Sequence, residues 1–166
     1  MTSFPFQTAL GTCRIVWSDA GLAAFRLPEP KAGPAPSWIE DVSVPAWVRE
    51  VAARAKKHLA GELQDFEGTS FDFTLVSSFQ RAVYEGALAV KAGQTQSYGW
   101  LAKKIGQPIF ASRAVGTALG QNPWPLLVPC HRFIGASGKM VGFSGPGGIQ
   151  TKLRLLALEG AVLDLS

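Results

Sequence analysis

Alternation of apolar and polar residues predicts an antiparallel hairpin near the amino terminus. Residues 12–18 and 22–27 are short β-compatible runs, and Asp19 and Gly21 between them suit a tight turn. Prolines crowd the chain that follows, and proline is poorly compatible with regular structure. We therefore expect residues 28–44 to form a surface loop.

A helix and one further strand are predicted next. Apolar residues recur at helical spacing over residues 48–59, with Arg and Lys elsewhere around the helix, and Gly61 ends the pattern. Phe and Leu alternate with polar residues over residues 71–75, as in a strand. Residues 1–75 are therefore predicted to form a small α/β domain, an antiparallel sheet with a helix.

Strand signals stop near Val76, and helical signals follow. Ser77 and Gln80 resemble a capping box that opens a helix over residues 79–90. The fold class predicted is α+β, in which the small amino-terminal sheet domain precedes a mostly helical carboxy-terminal domain over residues 76–166.

Two short helices in this second half fit a helix-turn-helix. Ser97 suits the cap of a helix over residues 98–105, and Gly106 and Pro108 separate it from a helix over residues 111–119.

The second of these helices combines small residues with a single long cation. Ala111 and Ala114 would let its backbone approach a partner closely, and Arg113 is its cation. A close-packed core helix also uses small residues, so a DNA-contacting helix and a core helix both remain open.

Charge is distributed unevenly along the 166 residues, whose net charge is +4. Residues 1–75 carry 7 basic and 9 acidic residues, and residues 76–166 carry 9 basic and 3 acidic residues. A basic second half indicates either a nucleic-acid partner or an ordinary solvated face. The chain has no apolar run of about 20 residues and no secretory signal, so we expect a cytoplasmic location and no membrane partner.

The chain has two cysteines and two histidines, too few and too scattered for a disulfide framework or a structural zinc site. Cys13, in a predicted strand, is expected to be a buried apolar residue. His58, near a helix end, is expected to be solvated.

Cys130 lies in the sequence Pro129-Cys130-His131-Arg132. A thiol beside an imidazole and a guanidinium has surroundings that favour the thiolate, which is the reactive nucleophile. Neighbouring side chains in an extended segment point apart, so His131 needs a turn or a bridging water to accept the Cys130 proton. A structural Cys-His pair remains the alternative.

Over residues 79–160, the chain resembles the O6-alkylguanine-DNA alkyltransferases. The family's motifs occur in the family's order: Ser97-Tyr98, Ser112-Arg113-Ala114-Val115-Gly116, Asn122-Pro123, Pro125, Pro129-Cys130-His131-Arg132, Phe143-Ser144-Gly145 and Leu155-Leu156-Ala157-Leu158-Glu159-Gly160. The amino-terminal half resembles the family's companion domain only loosely. The resemblance implies DNA repair by direct reversal, without a cofactor, by a monomer acting on double-stranded DNA that contains O6-alkylguanine.

The resemblance also implies roles for individual residues. Cys130 is the alkyl acceptor and is consumed in one turnover, because a thioether offers water no leaving group. His131 is the base that acts on the thiol through water, and Glu159 is the carboxylate that orients it. Tyr98 is the tyrosine whose hydroxyl bonds the guanine ring and whose ring meets the rotated phosphate.

Duplex recognition follows from the same resemblance. The reactive carbon is buried in the base stack, so the nucleotide must be flipped out. Arg113 is the arginine that fills the vacated space, while the helix carrying Ala111 and Ala114 enters the minor groove. An ordinary phosphate contact is the alternative for Arg113.

The remaining implied residues shape the base pocket. Asn122 ties the active-site turn to the second helix, the Phe133 carbonyl meets the guanine amino group, and the Ser144 amide faces O6. Gly145 keeps that loop open, and Arg132 braces the turn.

This chain departs from the family's common pattern at Phe133, at Gly142-Phe143 and in a longer loop over residues 144–148. The preferred alkyl size is therefore open, and bulkier adducts or O4-alkylthymine are possible substrates. Two other functions also remain: a module that only recognises alkylated bases, and a Cys-His hydrolase.

Overall fold

The computed structural model describes residues 2–29, 43–135 and 148–161. Its amino-terminal sheet has the strand order β1-β2-β3, in which both neighbouring pairs are antiparallel. The strands are β1 (Thr2–Thr8), β2 (Gly11–Ser18) and β3 (Gly21–Arg26). The predicted hairpin of β2 and β3 is confirmed. Most of the predicted loop over residues 28–44 lies outside the described residues.

Strand β1 was not predicted, and Pro5 explains why. A proline cannot donate a backbone hydrogen bond, so it weakens the sequence signal for a strand. Pro5 pairs with Arg14 at the edge of the sheet, where one side of the strand has no neighbouring strand among the described residues. Edge strands tolerate proline for this reason.

The predicted helix is present as α1 (Ala46–Leu59), which packs against β1 and β2. Its buried face holds Val48, Val51, Ala55 and Leu59. These positions follow the helical spacing from which the helix was predicted.

The predicted strand over residues 71–75 is wrong. Phe71 forms an isolated bridge with Leu22, and Phe73–Leu75 is a single 3₁₀ turn. The Asp72 carboxylate accepts hydrogen bonds from the backbone N–H and the hydroxyl of Thr74. An aspartate that bonds the backbone two residues ahead turns the chain, which overrides the alternating pattern.

Within the described residues, the second half is mostly helical, as predicted. The Ser77 and Gln80 capping box opens α2, which ends earlier than predicted. Two short strands, β4 (Gln96–Ser97) and β5 (Phe133–Ile134), form a parallel pair. This pair connects the start of α3 to the chain that follows the Cys130–Arg132 turn. The elements are α2 (Ser78–Ala87), β4 (Gln96–Ser97), α3 (Tyr98–Lys104), α4 (Ser112–Gly120), β5 (Phe133–Ile134) and α5 (Gly148–Leu158).

Helices α3 and α4 pack together as the predicted helix-turn-helix. The Ser97 hydroxyl caps α3 by accepting the Trp100 backbone N–H at 3.0 Å. Gly106 has a φ of 78°, a conformation that glycine adopts readily, and it ends α3. A 3₁₀ turn, Ile109–Ala111, leads into α4.

Trp124 joins the two halves of the molecule. Its buried ring packs against Phe71, Phe73 and Tyr84, and its indole N–H donates to the Leu22 carbonyl at 2.9 Å. One hydrophobic core therefore runs through both halves. The division into domains 1–75 and 76–166 stays a prediction.

No helix in residues 2–29, 43–135 and 148–161 combines the length and apolar character that a transmembrane helix requires.

Candidate active site

Cys130 begins a 3₁₀ turn, Cys130–Arg132, which follows the buried residues 126–129. The Cys130 N–H donates to the Val128 carbonyl at 2.8 Å, and the Arg132 N–H donates to the Pro129 carbonyl at 3.0 Å. A 3₁₀ turn has three residues per turn, so consecutive side chains are about 120° apart rather than on opposite sides as in an extended segment. The backbone around Cys130 is thus held by its own hydrogen bonds.

Asn122, just beyond α4, makes the backbone contacts that the family resemblance implies. Its side-chain N–H donates to the Val128 carbonyl at 2.9 Å, and its side-chain oxygen accepts the Trp124 N–H at 2.9 Å. The Asn122 side chain also acts to lower the pKa of the Cys130 thiol. It therefore links the end of the helix-turn-helix to the cysteine turn.

Cys130 is 9% exposed and borders a cavity of about 740 Å³. Strand β3 forms one wall, and the chain that follows α4, including Asn122 and Pro125, forms another. Ligand pockets typically measure about 300–1,000 Å³, so Cys130 borders a space of suitable size for a small molecule or base. Tyr98 and Phe133 are not among the residues that line it.

Glu159 is a buried carboxylate that gathers three basic side chains. It accepts hydrogen bonds from His131 Nε2 at 2.9 Å, Arg132 Nη2 at 2.8 Å and His58 Nε2 at 2.7 Å. Arg132 Nε donates to the other carboxylate oxygen at 2.9 Å. The predicted contact between His131 and Glu159 is confirmed, and Arg132 braces the turn by also donating to the Val90 carbonyl.

The hydrogen bonds define which atoms of this cluster carry protons. Burial alone would raise the pKa of Glu159, but hydrogen bonds from Arg132, His131 and His58 outweigh it and hold that pKa well below its ordinary range. A carboxylate only accepts, so Nε2 of His131 must be the donor.

Burial lowers the pKa of His131, which keeps its imidazole neutral. With the proton on Nε2, Nδ1 carries the lone pair. Nδ1 has no hydrogen-bond partner in the described part of the chain. His131 is therefore arranged as a base.

His58 is buried, so the expectation of a solvated histidine is wrong. It follows Val51 and Ala55 on the buried face of α1, and this spacing was the available signal. Its Nδ1 accepts the Gln64 backbone N–H at 3.0 Å, which places the ring proton on Nε2, toward Glu159. The amino-terminal half therefore contributes directly to the cluster.

The expectation that its neighbours hold Cys130 as a thiolate is also wrong for this structure. His131 and Arg132 direct their N–H groups to Glu159 rather than to sulfur. Burial raises the pKa of Cys130, although the bond from Asn122 and the charge of Lys152 act in the opposite direction. The resting thiol is neutral.

Lys152, on α5, is a further residue of this region that sequence analysis missed. It is buried, and its Nζ donates to the Phe133 carbonyl at 2.6 Å. Burial lowers the pKa of Lys152 to about 8, and the nearby Cys130 favours its charged form. Its spacing from Leu155 and Leu156, three and four positions on, places it on the buried face of α5.

Tyr98 and Arg113 lie on the helix-turn-helix. Burial raises the pKa of the Tyr98 hydroxyl, which keeps it a donor. The Tyr98 ring faces Gly116 of α4, where an added Cβ would lie 3.9 Å from two ring carbons. Arg113 and Ala114 are exposed, and Ala111 is half-buried.

The opposite face of α4 packs into the core through Val115, Ala118 and Leu119. The helix therefore has both a core face and a free face. Ser144 and Gly145, together with Gly142 and Phe143, lie outside the described residues. No group of three or more potential ligands among the described His, Cys, Asp and Glu residues has the arrangement of a metal site.

Comparisons with known proteins agree on one family. The model of the 6-O-methylguanine DNA methyltransferase DNA-binding domain matches residues 78–161. A methylated-DNA--protein-cysteine methyltransferase of Methanosarcina acetivorans is 36% identical over 161 residues, which cover 94% of this chain and 96% of that protein. One of Mycolicibacterium paratuberculosis is 49% identical over 105 residues, or 61% of this chain and 59% of that protein.

Structural similarity extends over nearly the whole chain. The crystal structure of Mycobacterium tuberculosis OGT in complex with DNA matches with a TM-score of 0.75 and 34% identity. The match covers 95% of this chain and 92% of that one, so it includes the amino-terminal sheet as well as the helix-turn-helix. The chain belongs to the methylated-DNA--protein-cysteine methyltransferase family.

Proposed function

We propose that this protein repairs DNA by direct reversal, transferring an alkyl group from O6 of guanine to the sulfur of Cys130. The observation that carries the proposal is the arrangement around this thiol. Cys130 borders a cavity, and the next residue, His131, is a neutral imidazole oriented by the buried Glu159 carboxylate. A nucleophile, a base and an orienting carboxylate are the components of activated-nucleophile catalysis.

The reaction exchanges one bond for another. A bond forms between Cys130 Sγ and the alkyl carbon, while the bond from that carbon to O6 breaks and its electron pair stays with guanine. The thiol proton passes through water to His131 Nδ1, and His131 then releases it to solvent while the departing guanine anion takes up one proton from solvent, so protons balance. Tyr98 donates its hydroxyl hydrogen bond to the departing base. The thioether that remains cannot be hydrolysed, so the protein acts once.

Ionisation of the thiol is coupled to substrate entry in this proposal. Burial raises the pKa of Cys130, so the free protein holds a protected thiol rather than a reactive thiolate. A flipped base that reaches Cys130 presents the electrophilic carbon as His131 removes the proton. The Lys152 ammonium favours the thiolate as it forms.

The surrounding residues position the base. We assign Asn122 to holding the cysteine turn, and the Phe133 carbonyl to the guanine amino group. Lys152 already donates to that carbonyl, and a carbonyl oxygen has two lone pairs. Ser144 and Gly145 keep the roles implied by the family resemblance.

The free face of α4 is the proposed DNA contact. Arg113 fills the space left by the flipped nucleotide, and the small Ala111 and Ala114 allow close approach to the minor groove. The cytoplasmic location, action as a monomer and preference among alkyl groups, O4-alkylthymine included, stay predictions.

Intact-protein mass spectrometry after incubation with duplex DNA containing O6-methylguanine tests the proposal. One methyl replacing one hydrogen adds about 14 Da, and peptide mapping should locate it on Cys130 with one adduct per protein. Cys130→Ala should bind DNA but gain no mass. Cys13→Ala is the matched control, because Cys13 is also buried and burial raises its pKa to about 11.

Each other outcome contradicts a defined part of the proposal. An unmodified wild-type protein on bound DNA would indicate recognition without transfer. Repeated turnover on an ester would indicate a hydrolase. An adduct that persists in Cys130→Ala would move the acceptor to another residue.

A further inference from the structure

The tip of the helix-turn-helix exposes two large apolar side chains. Ile109 is 67% exposed and Phe110 is 85% exposed, whereas the other exposed large apolar side chains of the described residues are less than 50% exposed. Both lie on the 3₁₀ turn that leads into α4. An aromatic ring left almost wholly in water suggests a surface with a partner.

The turn that carries Phe110 is rigid. The Ala111 N–H donates to the Pro108 carbonyl at 2.9 Å, and the Ser112 hydroxyl donates to the Ile109 carbonyl. Ile109 leans back on α3, since a Cβ added at Gly99 would lie 3.4 Å from its Cγ1. Phe110 is therefore presented outward on a supported backbone.

The exposed charged side chains around this turn are positive, which favours a negatively charged partner. Exposed Lys103 and Lys104 end α3, and exposed Arg113 lies one helical turn beyond Phe110. Between Glu85 and Glu159 the sequence has eight Lys and Arg and no Asp or Glu. An apolar tip beside three exposed cations is complementary to a polyanion with an apolar interior, which describes the groove of duplex DNA.

We propose that Phe110 is a wedge that enters the minor groove of duplex DNA and stacks against the base step beside the flipped nucleotide. Apolar side chains, Phe among them, insert between base steps in this way and partly unstack them. Phe110 and Arg113 are three residues apart on one helical path, so they face the same stretch of groove. The inference rests on the proposed function, because unstacking the neighbouring step favours extrusion of the target base.

The rate of alkyl transfer from three substrates tests the wedge: O6-methylguanine in duplex DNA, in single-stranded DNA and O6-benzylguanine as a free base. Replacing an aromatic side chain on which a base stacks by alanine typically weakens the interaction by about tenfold or more. Phe110→Ala should therefore slow the duplex reaction by about tenfold. The free-base rate should not change. Phe110→Trp should retain most of the duplex rate, because it keeps an aromatic face.

Leu63→Ala is the matched control, since Leu63 is an exposed apolar residue in the amino-terminal half. It should leave all three rates unchanged. A 2-aminopurine placed beside the lesion should brighten when wild type binds, because unstacking relieves its quenching. It should stay dark with Phe110→Ala.

Failure of the wedge and failure of alkyl transfer are distinguishable here. No alkyl transfer to wild type from any of the three substrates overturns the proposed function. A normal free-base rate together with equal duplex rates for wild type and Phe110→Ala overturns the wedge alone. Equal losses on duplex and free base also overturn it, as does a change confined to self-association measured by sedimentation.

Discussion

Replacing His58 with phenylalanine tests whether the amino-terminal half positions the catalytic base. His58 is buried, donates to Glu159 at 2.7 Å and accepts the Gln64 N–H at 3.0 Å. Phenylalanine keeps the ring and the packing against Phe66, but it removes both hydrogen bonds. Glu159 would keep its partners Arg132 and His131.

The lost hydrogen bond from His58 to the buried Glu159 carboxylate determines how far the free energy of unfolding should fall. A hydrogen bond to a charged group contributes roughly 1.5–3 kcal/mol. The Gln64 amide is only part-buried, so water can replace its bond at little cost. We therefore expect the free energy of unfolding to fall by about 2–3 kcal/mol, which in a chain of this size lowers Tm by roughly 4–12 °C.

The pH profile separates positioning from simple stabilisation. Without the His58 donor, Glu159 is less well compensated, so its attraction for a proton on His131 increases and the pKa of His131 rises. The acid limb of the rate of transfer from the free base should then move to higher pH, so that the rate falls on the acidic side of neutral. His58→Gln, which restores an N–H donor, should recover part of both.

A His58→Phe protein that loses stability but keeps the wild-type pH profile would refute the positioning argument. The rates must be measured below the melting transition of each variant, so that unfolding does not imitate a pH effect. Circular dichroism at each pH supplies that check.

Two other perturbations test the cluster and the DNA face. Glu159 and His131 both have a lowered folded pKa, so the stability they confer is present above their ordinary values of 4.5 and 6.5 and is lost as pH falls. The free energy of unfolding, measured with a chemical denaturant across pH, should therefore decline below about pH 6.5. In Glu159→Gln the steepest, most acidic part of this decline should be absent. A free energy of unfolding that does not change with pH in wild type contradicts the assignment. Arg113→Ala should slow repair of duplex DNA far more than reaction with free O6-benzylguanine, and equal losses would contradict a role in base flipping.

Two of the correctly predicted helices have local causes. Ser77 with Gln80 and Ser97 cap their helices through bonds to residues three positions ahead, so a short stretch of sequence contains the whole interaction. The strand wrongly predicted over residues 71–75 shows the limit of periodicity. There the Asp72 carboxylate accepts the Thr74 backbone N–H, and the chain forms a 3₁₀ turn instead of a strand.

The residues of the site likewise divide into those that a local motif reveals and those that only the fold brings together. Cys130 and His131 are adjacent, so their motif is visible in the sequence. His58 and Glu159 are 101 residues apart, and neither neighbourhood contains a signal for the other. Lys152 was missed because a lysine amid apolar residues is normally read as solvent-facing, whereas here the Phe133 carbonyl compensates its burial.

Comparison of the two cysteines shows what makes one of them reactive. Burial raises the pKa of both thiols, so neither is a thiolate at rest and pKa alone does not distinguish them. Cys13 lies in the core of the sheet, where its described side-chain partner is the Thr8 hydroxyl at 3.7 Å. Cys130 instead borders a cavity and is followed by an imidazole whose lone pair is set by Glu159. In the proposed reaction, reactivity therefore comes from access and a prepared base, not from a permanently ionised sulfur, so a protein that acts once would avoid reacting before it meets its lesion.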